Sequence, residues 1–136
     1  MFKQEITVAA AVENLGAVTA FVDRCMEELG CSMRSQVQID VAVDELFSNI
    51  AYYAYPNGSG TATLRVEAVG PDCVLLTFID SGIPYDPLSR PDPDTTLSAE
   101  ERKIGGLGIY MVKKSMDEIS YAYEDGKNVL RIKKKL

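Results

Sequence analysis

Residues 105–121 read GGLGIYMVKKSMDEISY. Three glycines stand immediately before an apolar run in which Ile109, Val112, Met116 and Ile119 recur at spacings of three and four, the period of an amphipathic helix. Glycines at a helix start leave backbone N–H groups open to a ligand, and with the helix dipole they form an anion site. A plain flexible hinge is the alternative reading of Gly105, Gly106 and Gly108. The run is not a P-loop, because no G-x-x-x-x-G-K-[ST] is present. Nor is it a dinucleotide fingerprint, since it lies late in the chain and lacks the third spaced glycine.

Working outward toward the C-terminus, Tyr121–Tyr123 and Val129–Ile132 flank Asp125-Gly126 and read as a hairpin. Lys133, Lys134 and Lys135 read as its solvated end. Toward the N-terminus lies 80–103, rich in proline, aspartate and serine and without sustained periodicity. A loop this long inside a compact domain is usually functional or disordered. Before it come two strands, Thr61–Val69 with Ala62, Leu64, Val66 and Ala68 on one face, and Cys73–Ile79, joined by Gly70-Pro71-Asp72. Pro56-Asn57-Gly58-Ser59-Gly60 breaks the chain ahead of them. Ser35–Tyr55 reads as a helix whose core side takes Val37, Val41, Leu46, Phe47, Ile50 and Ala54. Leu15–Leu29 reads as another, capped by Glu13 or Asn14 and ended by Gly30. Phe2–Ala10 reads as an opening strand. The order β, α, α, β, β, loop, α, β, β predicts an α+β two-layer sandwich, a mixed, mostly antiparallel sheet covered on one face by three helices.

The chain has 136 residues, 14 basic and 20 acidic, for a formal net charge of −6, and no histidine. That length suits one domain, residues 1–136. Its balance of 46% apolar and 25% charged residues is that of an ordinary globular protein. Without histidine there is no Ser-His-Asp triad, Cys-His dyad or phospho-histidine relay within the chain. The acidic balance argues against a general nucleic-acid surface. Cys25, Cys31 and Cys73 lack C-x-x-C spacing and sit among apolar neighbours, as inert thiols in a reducing compartment do. The N-terminus has no signal-peptide pattern and no stretch approaches a membrane span, so a cytoplasmic protein is expected.

Two further features carry chemistry. Glu45 and Asn49, four apart on the second predicted helix, share a face, and their oxygens are hard ligands of the kind Mg²⁺ takes. The alternative is a solvated face carrying Asp44, Glu45, Ser48 and Asn49. Asp80-Ser81-Gly82 ends the apolar strand, so Asp80 is placed to accept from a ligand amine, with Gly82 leaving room for close approach. The alternative is an Asx-type turn.

Taken together and in this order, Glu45-x-x-x-Asn49, Asp80-x-Gly82 and Gly106-x-Gly108 resemble the N box and the two glycine boxes of the GHKL ATPase superfamily, and the resemblance spans about residues 5 to 135. The short length and the run from Gly105 to Tyr121 are most similar to the anti-sigma factor serine/threonine kinases, the histidine kinase-like branch of bacterial partner-switching systems. The resemblance implies a Bergerat-type ATP-binding fold and the cofactors ATP and Mg²⁺. It implies Glu45 as general base, Asn49 as the Mg²⁺ ligand, Asp80 as acceptor of the adenine amine and Gly82 as the residue allowing approach. It also implies that Gly105, Gly106, Leu107 and Gly108 line the phosphates, and that 84–104 forms the ATP lid, with Arg102 or Lys103 on a phosphate. The implied activity is phosphorylation of a STAS-domain anti-anti-sigma protein and sequestration of a sigma factor by a homodimer, with no direct nucleic-acid or membrane contact. The alternative is a non-catalytic ATP-binding module of the same fold. Two positions depart from the family: Tyr53 stands where these kinases commonly carry histidine, and Pro84 replaces the second glycine of the first glycine box.

Overall fold

The structure is a computed structural model and describes residues 2–89 and 106–136, of which 106 and 107 by backbone alone. Strand β1 (Lys3–Ala9) leads into helices α1 (Leu15–Glu28) and α2 (Met33–Tyr53). The hairpin β2 (Thr61–Val69) and β3 (Cys73–Asp80) follows, then α3 (Gly106–Ser115) and the hairpin β4 (Glu118–Glu124) and β5 (Lys127–Lys135). The sheet order is β1-β2-β3-β5-β4, and all four pairings are antiparallel. The predicted α+β sandwich is therefore present, but among the described residues its sheet is wholly antiparallel rather than mixed.

Cross-strand registers align side chains into rows. Ile6, Leu64, Phe78, Leu130 and Tyr121 form one, and Val8, Ala62, Asp80, Asn128 and Tyr123 the next. Their sheet face meets the helices in a single core, which holds Val18, Val22 and Met26 of α1, Ile39, Val43 and Phe47 of α2, and Ile109 and Val112 of α3. The second row brings Asp80 and Asn128 to the rim of that core, where the site lies.

Local signals explain the helix ends. Ser32 Oγ accepts from the Ser35 N–H at 3.2 Å, so α2 starts at Met33, two residues earlier than Ser35. Gly30, at φ 69°, ends α1, and Cys31 N–H donates to the Met26 carbonyl at 3.0 Å in a Schellman arrangement. Asn14 precedes α1 but makes no side-chain cap; its Nδ2 donates instead to the Ala9 carbonyl at 2.9 Å. Asp125 and Gly126, at φ 53° and 75°, give the closing hairpin its tight turn.

One expectation fails on α2. Val37 and Val41 do not face the core: they are 56% and 55% exposed. At about 100° per residue they stand opposite the stripe of Ile39, Ala42, Val43, Leu46 and Phe47, which is the buried one. Lys133 to Lys135 do end a strand, but each finds a partner: Glu118 at 3.2 Å, the Ser115 carbonyl at 2.6 Å and Asp72 at 3.7 Å.

Between α1 and α2, Asp40 shares a hydrogen bond with Asp23, whose Oδ1 also accepts from Gln36 Nε2 at 3.3 Å. Asp40 Oδ1 is buried with no partner among the described residues. Burial first, then the bond to Asp23 and the charge of Asp23, push the Asp40 carboxyl up to about 7. The cysteines are all free, Cys25 buried and the other two half-buried; burial raises the Cys25 and Cys31 thiols, which makes them poorer nucleophiles.

Candidate functional site

Asp80 is the last residue of β3 and only 6% exposed. Its Oδ1 accepts twice, from Gly82 N–H and from Asn128 Nδ2, both at 2.9 Å. The first bond is an Asx turn. The turn and the ligand reading do not compete, because the turn occupies one oxygen only. Oδ2 has no protein partner among the described residues.

Gly82 serves a different neighbour from the one expected. A Cβ there would stand 2.2 Å from the Ala54 carbonyl oxygen and 2.6 Å from its carbon. The backbone that approaches Gly82 is thus the end of α2, and Ile83 N–H locks the contact by donating to the same Ala54 carbonyl at 2.9 Å. Tyr55 braces the turn from the other side, its hydroxyl accepting from Ser81 N–H at 2.9 Å and donating to the Thr61 carbonyl at 2.6 Å.

Asp80 lies in the floor of a small cavity of about 40 Å³ that is partly open to solvent. Leu46, Asn49 and Ile50 of α2 form one wall, Phe78 and Leu130 the sheet side, and Ile83, Tyr85 and Pro87 the rim. A mostly apolar pocket with a few convergent polar groups is the usual form of a small-molecule site. The structure thus brings Asn49 and Asp80, 31 positions apart, onto one cavity. Tyr53 does not line the cavity; it is 54% exposed, its ring 6.1 Å from that of Tyr85 on the rim.

Glu45 is half-buried beside Asn49 on the flank of α2. Burial pushes its carboxyl up, the charge of Asp44 adds to this, and a hydrogen bond with Asn49 opposes both. Its carboxyl group rests on Gly108 in the first turns of α3: a Cβ on Gly108 would stand 2.2 Å from Glu45 Cδ and Oε1. The absent side chain at Gly108 is what lets the carboxyl settle there. Gly106 and Leu107 open the same helix. Gly105, Arg102, Lys103 and most of the expected lid lie outside the described residues; of that lid, Pro84–Ser89 is described and ends in a short 3-10 turn over Pro87–Ser89.

Sequence reasoning missed Asn128, which is 6% exposed. Its Nδ2 donates to Asp80 Oδ1 and, at 2.8 Å, to the Ile83 carbonyl; its Oδ1 accepts from Tyr85 N–H at 3.1 Å and from the Tyr121 hydroxyl. The Tyr121 oxygen also accepts from Tyr85 N–H at 3.3 Å. The one available signal is an amide directly before the apolar run Val129-Leu130, matching a carboxylate directly after the apolar run of β3.

Known proteins share this chain's sequence pattern and fold. The model of the histidine kinase-like ATPase domain family matches residues 8–134. The serine-protein kinase RsbW of Bacillus cereus strain B4264 is 24% identical over 135 residues, covering 96% of this chain and 84% of its own. The serine/threonine-protein kinase BtrW of Bordetella bronchiseptica is 30% identical over 104 residues, covering 74% of this chain and 71% of its own. A crystal structure of the RsbU and RsbW domains of Rv1364c from Mycobacterium tuberculosis shares the fold, with a TM-score of 0.71 at 16% identity over 100% of this chain and 33% of that one. Among the described residues no helix is long and apolar enough to cross a membrane. The family match over nearly the whole chain, the two kinase relatives and the shared fold converge on one assignment: the chain belongs to the histidine kinase-like ATPase family, on the branch of the anti-sigma kinase-like ATPases.

Proposed function

We propose that residues 1–136 form a single ATP-dependent protein serine/threonine kinase domain. Its substrate is a hydroxyl of a STAS-domain anti-anti-sigma protein, and it sequesters a sigma factor when that antagonist is phosphorylated and released. It works in the cytoplasm, as a homodimer, with no direct contact to nucleic acid or membrane. The observation that carries the reading is the buried Asp80, one oxygen committed to the fold and the other without a partner among the described residues, on the same cavity as Asn49, which neighbours Glu45.

In this reading the adenine amine donates to Asp80 Oδ2, and Gly82 keeps that carboxyl in place through its N–H. The triphosphate runs toward α3, where the backbone of Gly105, Gly106, Leu107 and Gly108 meets the phosphates. Residues 84–104 close over the nucleotide, Arg102 or Lys103 reaching a phosphate. Glu45 takes the proton of the attacking hydroxyl as its oxygen bonds to the γ-phosphorus and the bond to the β-phosphate oxygen breaks, releasing ADP. A base with a raised carboxyl fits that task, since proton uptake is most effective when the pKa approaches the working pH. The donor set also suits Mg²⁺: the amide oxygen of Asn49 is a hard donor, and Mg²⁺ bound through phosphates needs only one or two protein oxygens. Asn49 would hold it through its amide oxygen, and the ion supplies neutralisation of phosphate charge.

The test is incubation of the protein with labelled ATP, Mg²⁺ and the STAS proteins of its own genome. Wild type transfers label to one of them; Glu45→Gln does not, yet still gains stability from Mg-ATP, by ~2.7 kcal/mol at ligand 100-fold above Kd. Transfer by Glu45→Gln at the wild-type rate removes Glu45 as the base. No label transfer by wild type, with stabilisation intact, selects the non-catalytic ATP-binding module. Absence of any stabilisation by nucleotide defeats both.

A further inference from the structure

We propose that Asn128, steadied by Tyr121, is the positioning residue that gives the Asp80 carboxyl its selectivity for an exocyclic amine and ties that selectivity to the segment Ile83–Tyr85. The proposal rests on the reading of Asp80 as the partner of the base amine.

The hydrogen-bond count of Asn128 leads to it. A side-chain amide offers two N–H donors and one oxygen with two acceptor sites. Here both donors are given, to Asp80 Oδ1 at 2.9 Å and to the Ile83 carbonyl at 2.8 Å. Both acceptor sites are taken, by Tyr85 N–H at 3.1 Å and by the Tyr121 hydroxyl. Asn128 lines the cavity and yet has nothing left with which to read a ligand. Its effect on a ligand passes through Asp80. Together with Gly82 N–H it saturates Oδ1, so the carboxyl cannot turn, and Oδ2 alone is offered as an acceptor.

The same amide does a second thing. Its bonds to the carbonyl of Ile83 at 2.8 Å and the N–H of Tyr85 at 3.1 Å satisfy two backbone groups of the segment that leaves β3. The Asn128 side chain thus ties that segment to β5 beyond the last paired residues, Asp80 and Asn128. Residues 83–85, which form the cavity rim, are held by the group that orients the floor. Tyr121 is the brace: its oxygen meets both Asn128 Oδ1 and Tyr85 N–H.

The experiment is a cycle between residue and ligand, comparing ATP with purine riboside triphosphate, which lacks the 6-amine, by calorimetry on wild type and variants. Wild type is expected to prefer ATP by at least about tenfold, the size of a hydrogen bond to a charged group. Asn128→Ala is expected to lose most of that preference, weakening ATP by about tenfold and the analogue by less than about threefold. Tyr121→Phe, which keeps the ring and removes only the hydroxyl, is expected to lower the preference by about threefold. Equal weakening of both nucleotides by Asn128→Ala makes the residue merely structural and overturns the proposal. Where Asn128→Ala does not melt cooperatively, Tyr121→Phe decides: an undiminished ATP preference overturns the proposal. If wild type itself binds both nucleotides alike, the amine reading of Asp80 falls as well, an outcome separate from the other two.

Discussion

Replacing Gly82 by alanine sets one methyl group against a helix end. The new Cβ would stand 2.2 Å from the Ala54 carbonyl oxygen, 2.6 Å from its carbon and 2.7 Å from its Cβ, against about 3.5–4 Å for ordinary contact. Two of the three obstacles are backbone, so relief requires α2 and the Ser81–Ile83 segment to separate. Overpacking of this kind costs roughly 1–3 kcal/mol. Separation also breaks the bond from Ile83 N–H to the Ala54 carbonyl, now 2.9 Å, at about 1 kcal/mol more. The reduced freedom of the unfolded chain returns roughly 0.4–1 kcal/mol. The net loss is about 1–3.6 kcal/mol, and for a chain of this length the melting temperature falls by roughly 3–14 °C. The assay is thermal melting of the nucleotide-free protein by circular dichroism, with Gly108→Ala as control. That Cβ meets the end of the Glu45 side chain, which can swing away, and alanine is the better helix former, so its melting stays within about 3 °C of wild type. Melting of Gly82→Ala within about 2 °C of wild type would refute the argument that Gly82 exists for the helix rather than for a ligand.

Asp40 predicts a pH effect. Its folded carboxyl titrates near 7 and its unfolded one near 4, so between those values only the folded state keeps the proton, and stability falls as pH rises through that window. Discounted for water access, the penalty above pH 7 is on the order of 1–2 kcal/mol. Asp40→Asn should therefore melt several degrees higher at pH 8, with the gap closing toward pH 4; a gap of equal size at both ends contradicts this origin. On α2, Val43→Ala should lower stability by roughly 2 kcal/mol and Val41→Ala by less than about 0.5, read from urea midpoints, and comparable losses would mean that the buried stripe has been assigned to the wrong face.

The strands and the three helices were legible because each rests on local signals, namely period and breakers, whereas the joining of Asn49 with Asp80 in one site came from the resemblance of three spaced motifs to the family and not from any one of them. What was not legible depends on partners far along the chain. Val37 and Val41 keep helical spacing with each other as faithfully as Ile39 and Val43 do, and only the sheet and α1 decide which stripe is covered. Gly82 looks like a glycine that admits a ligand until Ala54 is found against it. Asn128 looks like a turn-flanking amide until the register sets it opposite Asp80.

The place of β5 in the sheet has a consequence for the order of synthesis. β5, made after the other four strands of this sheet, is an interior one, lying between β3 and β4. A nascent chain that has reached Ser115 owns α1, α2 and α3 and Asp80, Asn49 and Glu45, yet β3 still presents an open edge and the floor of the cavity lacks Asn128. Folding must wait for contacts across 48 residues, and until they form the unpaired edge of β3 is the surface most prone to pairing with another chain. In the proposed reading nucleotide needs the finished floor, and it then acts as a late ligand that stabilises only completed molecules.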